Sequence, residues 1–356
     1  MLDALLGKRR GEFQLDVAFQ AEPGTTTVLV GESGAGKTSV LRLVAGLDRL
    51  DRGHVTVGAQ QYADAGRNLH RPAWERDIGY VPQDYALFPH LSVFDNVAFG
   101  PRASGMPRHR ITSAVTEALT LVGIPELARR RPHELSGGQQ QRAALARALA
   151  LQPAVLLLDE PLSSLDLQTR RALRVELRAL LVRLPCLTLY VTHNPVEALV
   201  LSDQIVVLDE GRVAQAGTRE ELLRYPRTPF VAELVGTNLF VGRPVTTDGP
   251  EPTIRTPEGL VEISEVAGPG AAYLTVSPRE ITLSLRPPDG SAQNVFAGNV
   301  VEMVPEPPGG ERVRVVLNTR PTLVAEVTRE AISALSLADG AWVYAAFKAT
   351  GVHRYA

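Results

Sequence analysis

Several residue types are scarce in the sequence, and each shortage excludes a class of protein. Among 356 residues Cys186 is the only cysteine, which excludes disulfides within the chain and cysteine-cluster metal sites and suits a reducing compartment. No apolar run approaches the roughly 18 residues of a membrane span, and the N-terminal charges follow a short apolar piece, the wrong order for a signal peptide. We therefore expect a soluble chain that reaches a membrane only through a partner.

An excess of charge of one sign is missing too. The 37 Lys and Arg residues nearly balance 39 Asp and Glu, for a formal net charge of −2, which gives no electrostatic reason to expect a nucleic-acid partner. From residue 231 onward 10 basic residues stand against 14 acidic ones, so an oligonucleotide-binding barrel is disfavoured there. The 44% of hydrophobic residues and the length predict ordinary globular material in about two domains.

Lysine is nearly absent, and one of its three occurrences marks a motif. Besides Lys8 and Lys348, Lys37 lies in the stretch GESGAGKTS, between an apolar run and a run with helical spacing. Such a strand, glycine-rich turn and helix start predict a phosphate-binding loop, in which backbone N–H groups and the positive end of the helix dipole face phosphate oxygens. We expect Lys37 to reach the β- and γ-phosphates and the Thr38 hydroxyl to hold Mg²⁺. The residues predicted to bind nucleotide here are Gly31, Glu32, Ser33, Gly34, Ala35, Gly36, Lys37, Thr38 and Ser39.

Buried strands alternate with helical segments up to about residue 235. The apolar runs Val155–Leu158, Leu187–Val191 and Ile205–Leu208 are typical of parallel strands covered on both faces, and residues 167–183 have helical spacing. This alternation predicts an α/β domain over residues 1–235. After it, prolines and glycines separate short strand-like runs, which predict a small β-rich domain over residues 236–356.

Two carboxylates, Asp159 and Glu160, follow the first of these apolar runs. The carboxyl ends of parallel strands are where ligands bind in α/β proteins. Asp159 is placed to help hold Mg²⁺, and Glu160 is placed to polarise an attacking water. Taken alone, the pair is also compatible with a strand-ending acidic turn without catalytic work.

The stretch Leu135–Gln139, LSGGQ, decides between the families that share a phosphate loop. With it the chain resembles the ATP-binding cassette (ABC) ATPases, and the likeness covers residues 1 to about 235. Ser136 and two glycines before a helical run also form a second anion-binding helix start. The other family motifs occur in the family's order: the phosphate loop, Gln83 in VPQD, Asp159-Glu160, Ser164-Leu165-Asp166, and His193 in VTH.

The resemblance implies a fold, an activity and a dimer. The fold is an α/β P-loop NTPase (ABC ATPase) domain with a helical subdomain at about residues 84–150, followed by the β-rich domain, OB-like and of the Mop/TOBE type. The activity is ATP hydrolysis with Mg²⁺ as cofactor. Two copies of the chain would pack head to tail, so that each ATP lies between Gly31–Thr38 of one copy and Ser136–Gln139 of the other.

Roles for single residues follow from the same resemblance. Glu160 would be the general base, His193 would contact the γ-phosphate and order the water, and Lys37 completes the catalytic set. Gln83 would reach Mg²⁺ and sense the transport partner, and Asp166 would tie the two sites together. The implied Mg²⁺ ligands are Thr38, Gln83 and Asp159. The implied nucleotide contacts outside the phosphate loop are Gln83, Ser136, Gly137, Gly138, Gln139 and Asp166.

The adenine-stacking residue departs from the family pattern. Family members usually carry an aromatic residue some 25 to 30 residues before the lysine, where this chain reads KRRGEF. Arg10 sits near the expected place and Phe13 lies a little late. Either could stack on the base, by its guanidinium group or its ring, and Phe13 could also be ordinary core.

The segment after Gln83, from Tyr85 to Val97, resembles the importer branch of the family. In that branch a short helix of a membrane permease docks here, and Leu87, Phe88 and Leu91 are our candidate groove, with ordinary core as the alternative. The implied partners are a second copy of the chain, transmembrane permease subunits, and a periplasmic or extracellular solute-binding protein acting through the permease. The implied location is the cytoplasmic face of the cell (inner) membrane.

The C-terminal domain narrows the choice of transported solute. Val276–Leu283 is similar to the β-rich domain appended to many importer ATPases, and residues 291–356 resemble the molybdate-binding, Mop-type module. The resemblance therefore favours a molybdate importer with a possible oxyanion site in this domain; tungstate or sulfate come next, and sugars, polyamines or iron further off. The family usually has Arg where this chain has Gln293, so a domain used only for dimerisation remains an alternative.

Two other classes of protein are less well supported. A non-transport cassette protein in DNA repair or translation would carry coiled-coil insertions, zinc modules or tandem cassettes, which the sequence lacks. A regulatory anion-binding protein with an inactive ATPase is disfavoured because Lys37, Glu160 and His193 are all in place.

Overall fold

The computed structural model describes residues 1–245, 253–257, 259–263, 272–289, 292–306 and 310–355. They form two compact units, Met1–Leu222 and Leu223–Ala356. This division falls earlier in the chain than the predicted domain boundary between residues 235 and 236, which stays a prediction. Ser291, near which the predicted Mop-like module begins, lies outside the described residues.

The first unit combines one 11-stranded mixed sheet with helices. Its strands are β1 (Leu2–Arg10), β2 (Phe13–Ala21), β3 (Thr26–Gly31), β4 (Arg52–Val57), β5 (Gln60–Asp64), β6 (Leu69–His70), β7 (Ile78–Val81), β8 (Val155–Asp159), β9 (Leu187–Val191), β10 (Gln204–Asp209) and β11 (Arg212–Thr218). Its helices are α1 (Lys37–Ala45), α2 (Val93–Ala103), α3 (Arg108–Leu121), α4 (Gly137–Leu149), α5 (Leu167–Leu181), α6 (Pro195–Leu201) and α7 (Arg219–Arg224), which begins in this unit. Among the described residues no helix is both long and apolar enough to cross a membrane.

The centre of the sheet is parallel, and it positions the candidate site. The strand order is β6-β5-β4-β1-β2-β11-β10-β3-β9-β8-β7, and the five strands from β10 to β7 pair in parallel. Every residue of β3, β8 and β9 is buried, which explains their continuous apolar runs. Because β3, β8 and β9 run the same way, the residues that follow them meet at one edge of the sheet.

Two elements of the first unit lie outside what the sequence patterns indicated. β1 pairs with β2 and β4, but Gly7 interrupts its apolar residues and it ends in three basic ones. α2 contains Pro101, which disfavours a helix. It forms because the Ser92 side chain accepts a hydrogen bond from the Asp95 N–H and caps its first turn. Pairing with β2 and β4 decides β1, which no local pattern predicts. In α2, Ser92 and Asp95 are a local helix-start signal that outweighs Pro101.

The second unit is β-rich, as the sequence predicts. Its described residues form two five-stranded antiparallel sheets, in the orders β14-β13-β12-β15-β21 and β16-β20-β17-β18-β19. Phe240, Leu274, Val315 and Phe347 lie in its core. The elements are α8 (Pro229–Val235), β12 (Asn238–Val245), β13 (Thr253–Thr256), β14 (Gly259–Glu262), β15 (Ala272–Val276), β16 (Thr282–Ser284), β17 (Asn294–Pro305), β18 (Arg312–Asn318), β19 (Leu323–Thr328), α9 (Arg329–Ala334), β20 (Trp342–Phe347) and β21 (Val352–Tyr355).

Candidate active site

A cleft lies at the edge of the sheet where β3, β8 and β9 end. It is lined by residues of the phosphate loop, by both candidates for adenine stacking, and by Gln83, Glu160 and His193. Sequence spacing alone could not place these last three together. Asp159 lies at the end of β8 and is only 4% exposed. The residues that line the cleft are Arg10, Phe13, Ser33, Gly34, Gly36, Lys37, Thr38, Ser39, Gln83, Glu160 and His193.

The phosphate loop has a backbone that only glycine can supply at its two ends. Gly31 has a φ of 152°, and a Cβ there would lie 2.1 Å from the backbone oxygen of Leu208. Gly36 has a φ of 101° and precedes α1 without giving it a side-chain cap. The first turn of α1 also holds no acidic residue. The N–H groups at this helix start are therefore left to a ligand, and an anion fits their charge.

Lys37 is held against the inner wall of this loop. Its side-chain nitrogen Nζ donates hydrogen bonds to the backbone oxygens of Gly31 and Glu32, each at 2.8 Å. Burial lowers the pKa of Lys37, whereas the nearby charges of Glu160 and Asp159 act in the opposite direction. A buried ammonium group with rotatable donors suits contact with phosphate oxygens.

Thr38 and Asp159 meet beside the loop, and their oxygens suit a hard cation. The Thr38 hydroxyl donates to Asp159 Oδ1 at 3.1 Å, and the Tyr80 hydroxyl donates to Asp159 Oδ2 at 3.2 Å. Burial raises the pKa of the Asp159 carboxyl, while these two hydrogen bonds oppose the rise. Hydroxyl and carboxylate oxygens at one point fit Mg²⁺, which binds through one or two carboxylates plus phosphates. Tyr80 carries no motif and could not be found from the sequence.

Glu160 and His193 form a contact across the cleft, since His193 Nδ1 lies 3.0 Å from Glu160 Oε2. Glu160 has a φ of 47°, which is unusual for a residue with a side chain. Its N–H donates to the backbone oxygen of Val191, and its own carbonyl accepts from the Ser163 hydroxyl at 2.8 Å. Gln83 Nε2 lies 3.5 Å from the same Ser163 hydroxyl oxygen. Glu160, the predicted base, therefore lies in a tight turn, and Ser163 of that turn contacts Gln83.

A buried carboxylate supports the loop that carries His193. Glu197 is 3% exposed, and its Oε2 accepts hydrogen bonds from Tyr190 at 2.9 Å and Thr192 at 2.8 Å. The Thr192 hydroxyl oxygen in turn accepts from the N–H of Asn194 at 3.0 Å. This network fixes the residues on both sides of His193, and no sequence pattern pointed to it.

The LSGGQ residues are not in this cleft. Ser136 and Gln139 cap the start of α4 reciprocally: Ser136 Oγ accepts from the Gln139 N–H, and Gln139 Oε1 accepts from the Ser136 N–H. Asp166 caps α5 by accepting from two backbone N–H groups at 3.1 Å. Of the described residues that line the cleft, none comes from Ser136–Gln139 or from Asp166. One chain therefore does not bring its two predicted anion-binding helix starts together in the cleft.

The two LSGGQ glycines have a packing reason of their own. A Cβ at Gly137 would lie 2.9 Å from Leu165 Cδ2, and one at Gly138 would lie 2.7 Å from Leu173 Cδ1. The start of α4 thus packs directly against the loop that carries Asp166 and against α5. A side chain at either glycine would therefore require Leu165 or Leu173 to change its rotamer.

Comparison with known proteins identifies the family. Residues 15–163 match the model of the ABC transporter family, and residues 290–354 match that of the TOBE domain. An Fe(3+) ions import ATP-binding protein of Rhizobium meliloti (strain 1021) is 44% identical over 288 residues, which are 80% of this chain and 78% of that protein. The chain belongs to the ABC transporter family. It is an importer-type ABC ATPase with a C-terminal TOBE domain.

Two further likenesses bear on this ABC ATPase. A spermidine/putrescine import ATP-binding protein of Acidothermus cellulolyticus is 45% identical over 267 residues, 74% of this chain and 68% of that protein. The ATP-binding cassette MJ0796, in a dimeric post-hydrolysis state bound to ADP and phosphate, matches with a TM-score of 0.52 and 26% identity. The match covers 62% of this chain and 99% of that one.

These likenesses confirm the predicted ABC ATPase fold, the ATPase activity and the importer class. They give no support to the predicted molybdate specificity, because the relatives are named for iron and for spermidine/putrescine. Both of those solutes stood further down the list of alternatives that the sequence suggested.

Proposed function

We propose that this ABC ATPase hydrolyses ATP in a head-to-tail dimer, with Glu160 as the general base. The observation that carries the proposal is the contact of 3.0 Å between Glu160 and His193 in the same cleft as Lys37. Glu160 accepts a proton from the attacking water while His193 orients that water and the γ-phosphate. Lys37 and the N–H groups at the start of α1 bind the β- and γ-phosphates.

Mg²⁺ fits the oxygens of Thr38 and Asp159, and Gln83, which lines the same cleft, is the third ligand that we propose. Bound there, the ion would neutralise charge that develops on the phosphates. The chain's own part is to place these oxygens. Tyr80 fixes the Asp159 carboxylate from the side opposite Thr38.

A second copy of the chain completes the site. Ser136–Gln139 lie outside the cleft of their own chain, and the exposed start of α4 presents N–H groups and the Ser136 hydroxyl to an anion. The dimeric state of MJ0796 with ADP and phosphate supports this arrangement. In the dimer that we propose for this chain, Ser136–Gln139 of one copy cover the γ-phosphate held by Gly31–Thr38 of the other. Asp166 contacts the facing copy.

The dimer couples hydrolysis to permease subunits at the cytoplasmic face of the cell membrane, with a solute-binding protein on the other side. The candidate docking groove keeps exposed aromatic surface: the rings of Phe88 and Phe99 lie 4.7 Å apart, and Phe99 is 49% exposed. Leu87 and Leu91 are half-buried in the same segment. ATP-driven closure of the dimer would pull on a permease helix seated there.

The solute that we favour is Fe³⁺, with spermidine or putrescine as the second candidate. The support is the names of the relatives, which are similar to this chain over most of its length. Molybdate ranks below both, because Gln293 is exposed and both polar groups of the Asn294 side chain are bound to the backbone of Glu262. The polar groups of Asn294 are thus already paired within the chain and are not offered to an oxyanion. Uptake of labelled Fe³⁺, putrescine and molybdate by cells carrying Lys37→Ala would rank the three, since only the true solute loses uptake.

The Glu160→Gln variant tests the catalytic proposal. We expect turnover to fall by at least about 100-fold, the usual contribution of a general base, while ATP still binds and traps the dimer. The matched control is Glu117→Gln on the exposed face of α3, which should keep the normal rate. Hydrolysis by Glu160→Gln at the wild-type rate would refute the assignment of the base.

A further inference from the structure

Two neighbouring turns at the cleft hold residues with side chains in the left-handed region of backbone space. Tyr85 and Ala86, just after Gln83, have φ values of 61° and 42°, and Glu160 has 47°. This conformation is unfavourable for residues with a Cβ and persists only where surrounding contacts enforce it. The contacts that enforce it here join the two turns to each other.

The Tyr85 side chain is the link. It is 5% exposed, and its hydroxyl oxygen lies 3.0 Å from the backbone oxygen of Pro161 and 3.0 Å from Ser164 Oγ. A carbonyl can only accept, so Tyr85 donates to Pro161 and accepts from Ser164. Burial raises the pKa of Tyr85, which keeps the donated proton in place. Pro161 follows Glu160 directly and Ser164 lies four residues after it, so the hydroxyl holds both sides of the turn that carries Glu160.

The backbone of Tyr85 is fastened from the other side by α4. Arg147, in the last turn of that helix, donates to the backbone oxygens of Tyr85 at 2.9 Å and Ala86 at 2.7 Å. Its guanidinium group also lies 5.3 Å from the centre of the Phe88 ring. Bidentate contacts of this kind fix both position and orientation. Through Arg147, α4, the helix that begins at the LSGGQ motif, therefore fixes the position of the Tyr85 backbone and with it the direction of the Tyr85 ring.

We propose that Tyr85 is a positioning residue for Glu160. Its hydroxyl holds the turn after β8 so that the Glu160 carboxylate stays in contact with His193 and faces the attacking water. The inference rests on the proposed role of Glu160 and adds a residue that no family motif assigns to catalysis. Since Arg147 fixes Tyr85, the placement of the base depends on the arrangement of α4.

Tyr85→Phe tests this by removing one oxygen. We expect kcat for ATP to fall by about three- to tenfold, the value of one net hydrogen bond, with KM unchanged within about twofold because no nucleotide contact is lost. Tyr62→Phe is the matched control: Tyr62 is equally buried, and its hydroxyl accepts from the N–H of Asp77 outside the cleft. It should lose a similar amount of thermal stability and keep its kcat.

Amide hydrogen exchange gives a second readout on the full chain. Tyr85→Phe should speed exchange at Ser163 and Leu165, whose N–H groups close the turn, and Tyr62→Phe should not. An unchanged kcat in Tyr85→Phe would overturn the inference, whether or not exchange changes. If Glu160→Gln, measured alongside, keeps its activity, then the proposed base is wrong; if it is inactive and Tyr85→Phe is normal, only the present inference fails.

Discussion

The two anion-binding helix starts of this chain, those of α1 and α4, are built in different ways. The start of α1 follows Gly36, which gives no side-chain cap, and carries the buried Lys37. The start of α4 is exposed and satisfies part of its own backbone through the reciprocal cap of Ser136 and Gln139. An anion at the start of α1 would therefore satisfy backbone N–H groups that have no other partner there, whereas the start of α4 already satisfies part of its own.

This difference gives the two helix starts separate roles, ATP binding by α1 and closure of the dimer by α4. We expect α1 to supply most of the affinity for ATP in a single chain, because its cleft also contains Thr38 and Glu160, and Asp159 contacts Thr38. We expect α4 to act only when a second chain brings it over the nucleotide. Variants at the two helix starts should then fail in different assays.

Lys37→Ala should give the largest loss of ATP affinity. Loss of a charge-assisted contact to phosphate lowers ATP affinity by about 100-fold, measured by calorimetry on the full chain. Lys8→Ala is the control, since Lys8 pairs with Asp51 outside the cleft. An unchanged affinity in Lys37→Ala would contradict the role given to α1.

Ser136→Ala should show that the start of α4 affects turnover and not ATP affinity, unlike the start of α1. Removing this cap costs about 1 kcal/mol of stability, and loss of its hydroxyl at the γ-phosphate should lower turnover about tenfold with ATP affinity nearly unchanged. Ser92→Ala removes the equivalent cap of α2 and should match the loss of stability without the loss of turnover. An affinity loss as large as that of Lys37→Ala would break the distinction.

Asp159→Asn should make the protein more stable and less active. Because burial raises the pKa of Asp159 in the folded state, its ionised form opposes folding at neutral pH, and that penalty is relieved as pH falls through the raised pKa. We expect the variant to unfold at a higher urea concentration than the wild type at pH 7 and to have no such advantage in acid. Mg²⁺-dependent turnover should be lost. A loss of stability at pH 7 would show that the carboxylate is already well compensated.

The smallest effect concerns adenine. The Arg10 guanidinium pairs with Asp48, whereas the Phe13 ring lies beside Gly36 at the cleft. We expect Phe13→Ala to weaken ATP binding about threefold to tenfold, as for one lost aromatic contact, and to leave inorganic triphosphate binding unchanged. Arg10→Ala should change neither. A larger effect from Arg10→Ala would transfer the stacking role to its guanidinium group.

Sequence reasoning predicted those parts of the site that depend on local backbone. The phosphate loop needs Gly31 and Gly36 at fixed spacing before Lys37, and Asp159-Glu160 ends a strand whose apolar run is visible in the sequence. Both are short stretches whose chemistry and geometry are set by adjacent residues. The family resemblance added residues that come together only through the fold.

Long-range contacts account for what was missed. Tyr80 reaches Asp159 across 79 positions of sequence, and Tyr85 reaches Pro161 across 76. Glu197 was missed for a different reason. Its partners Tyr190 and Thr192 lie only seven and five positions away, but a strand, a loop and a short helix must form before their hydroxyls meet its buried carboxylate. No residue type or spacing announces such contacts, since β7 and β8 become neighbours only when the sheet forms.

A mixing experiment tests most directly whether each ATP site is shared between two chains. Lys37→Ala breaks the cleft of α1, and Ser136→Ala breaks the start of α4. In a head-to-tail mixed dimer one site combines both defects and the other combines two intact halves. The shared site therefore predicts that mixed chains hydrolyse ATP faster than the sum of the two variants measured separately. A rate equal to that sum would contradict it and would place each complete site within one chain.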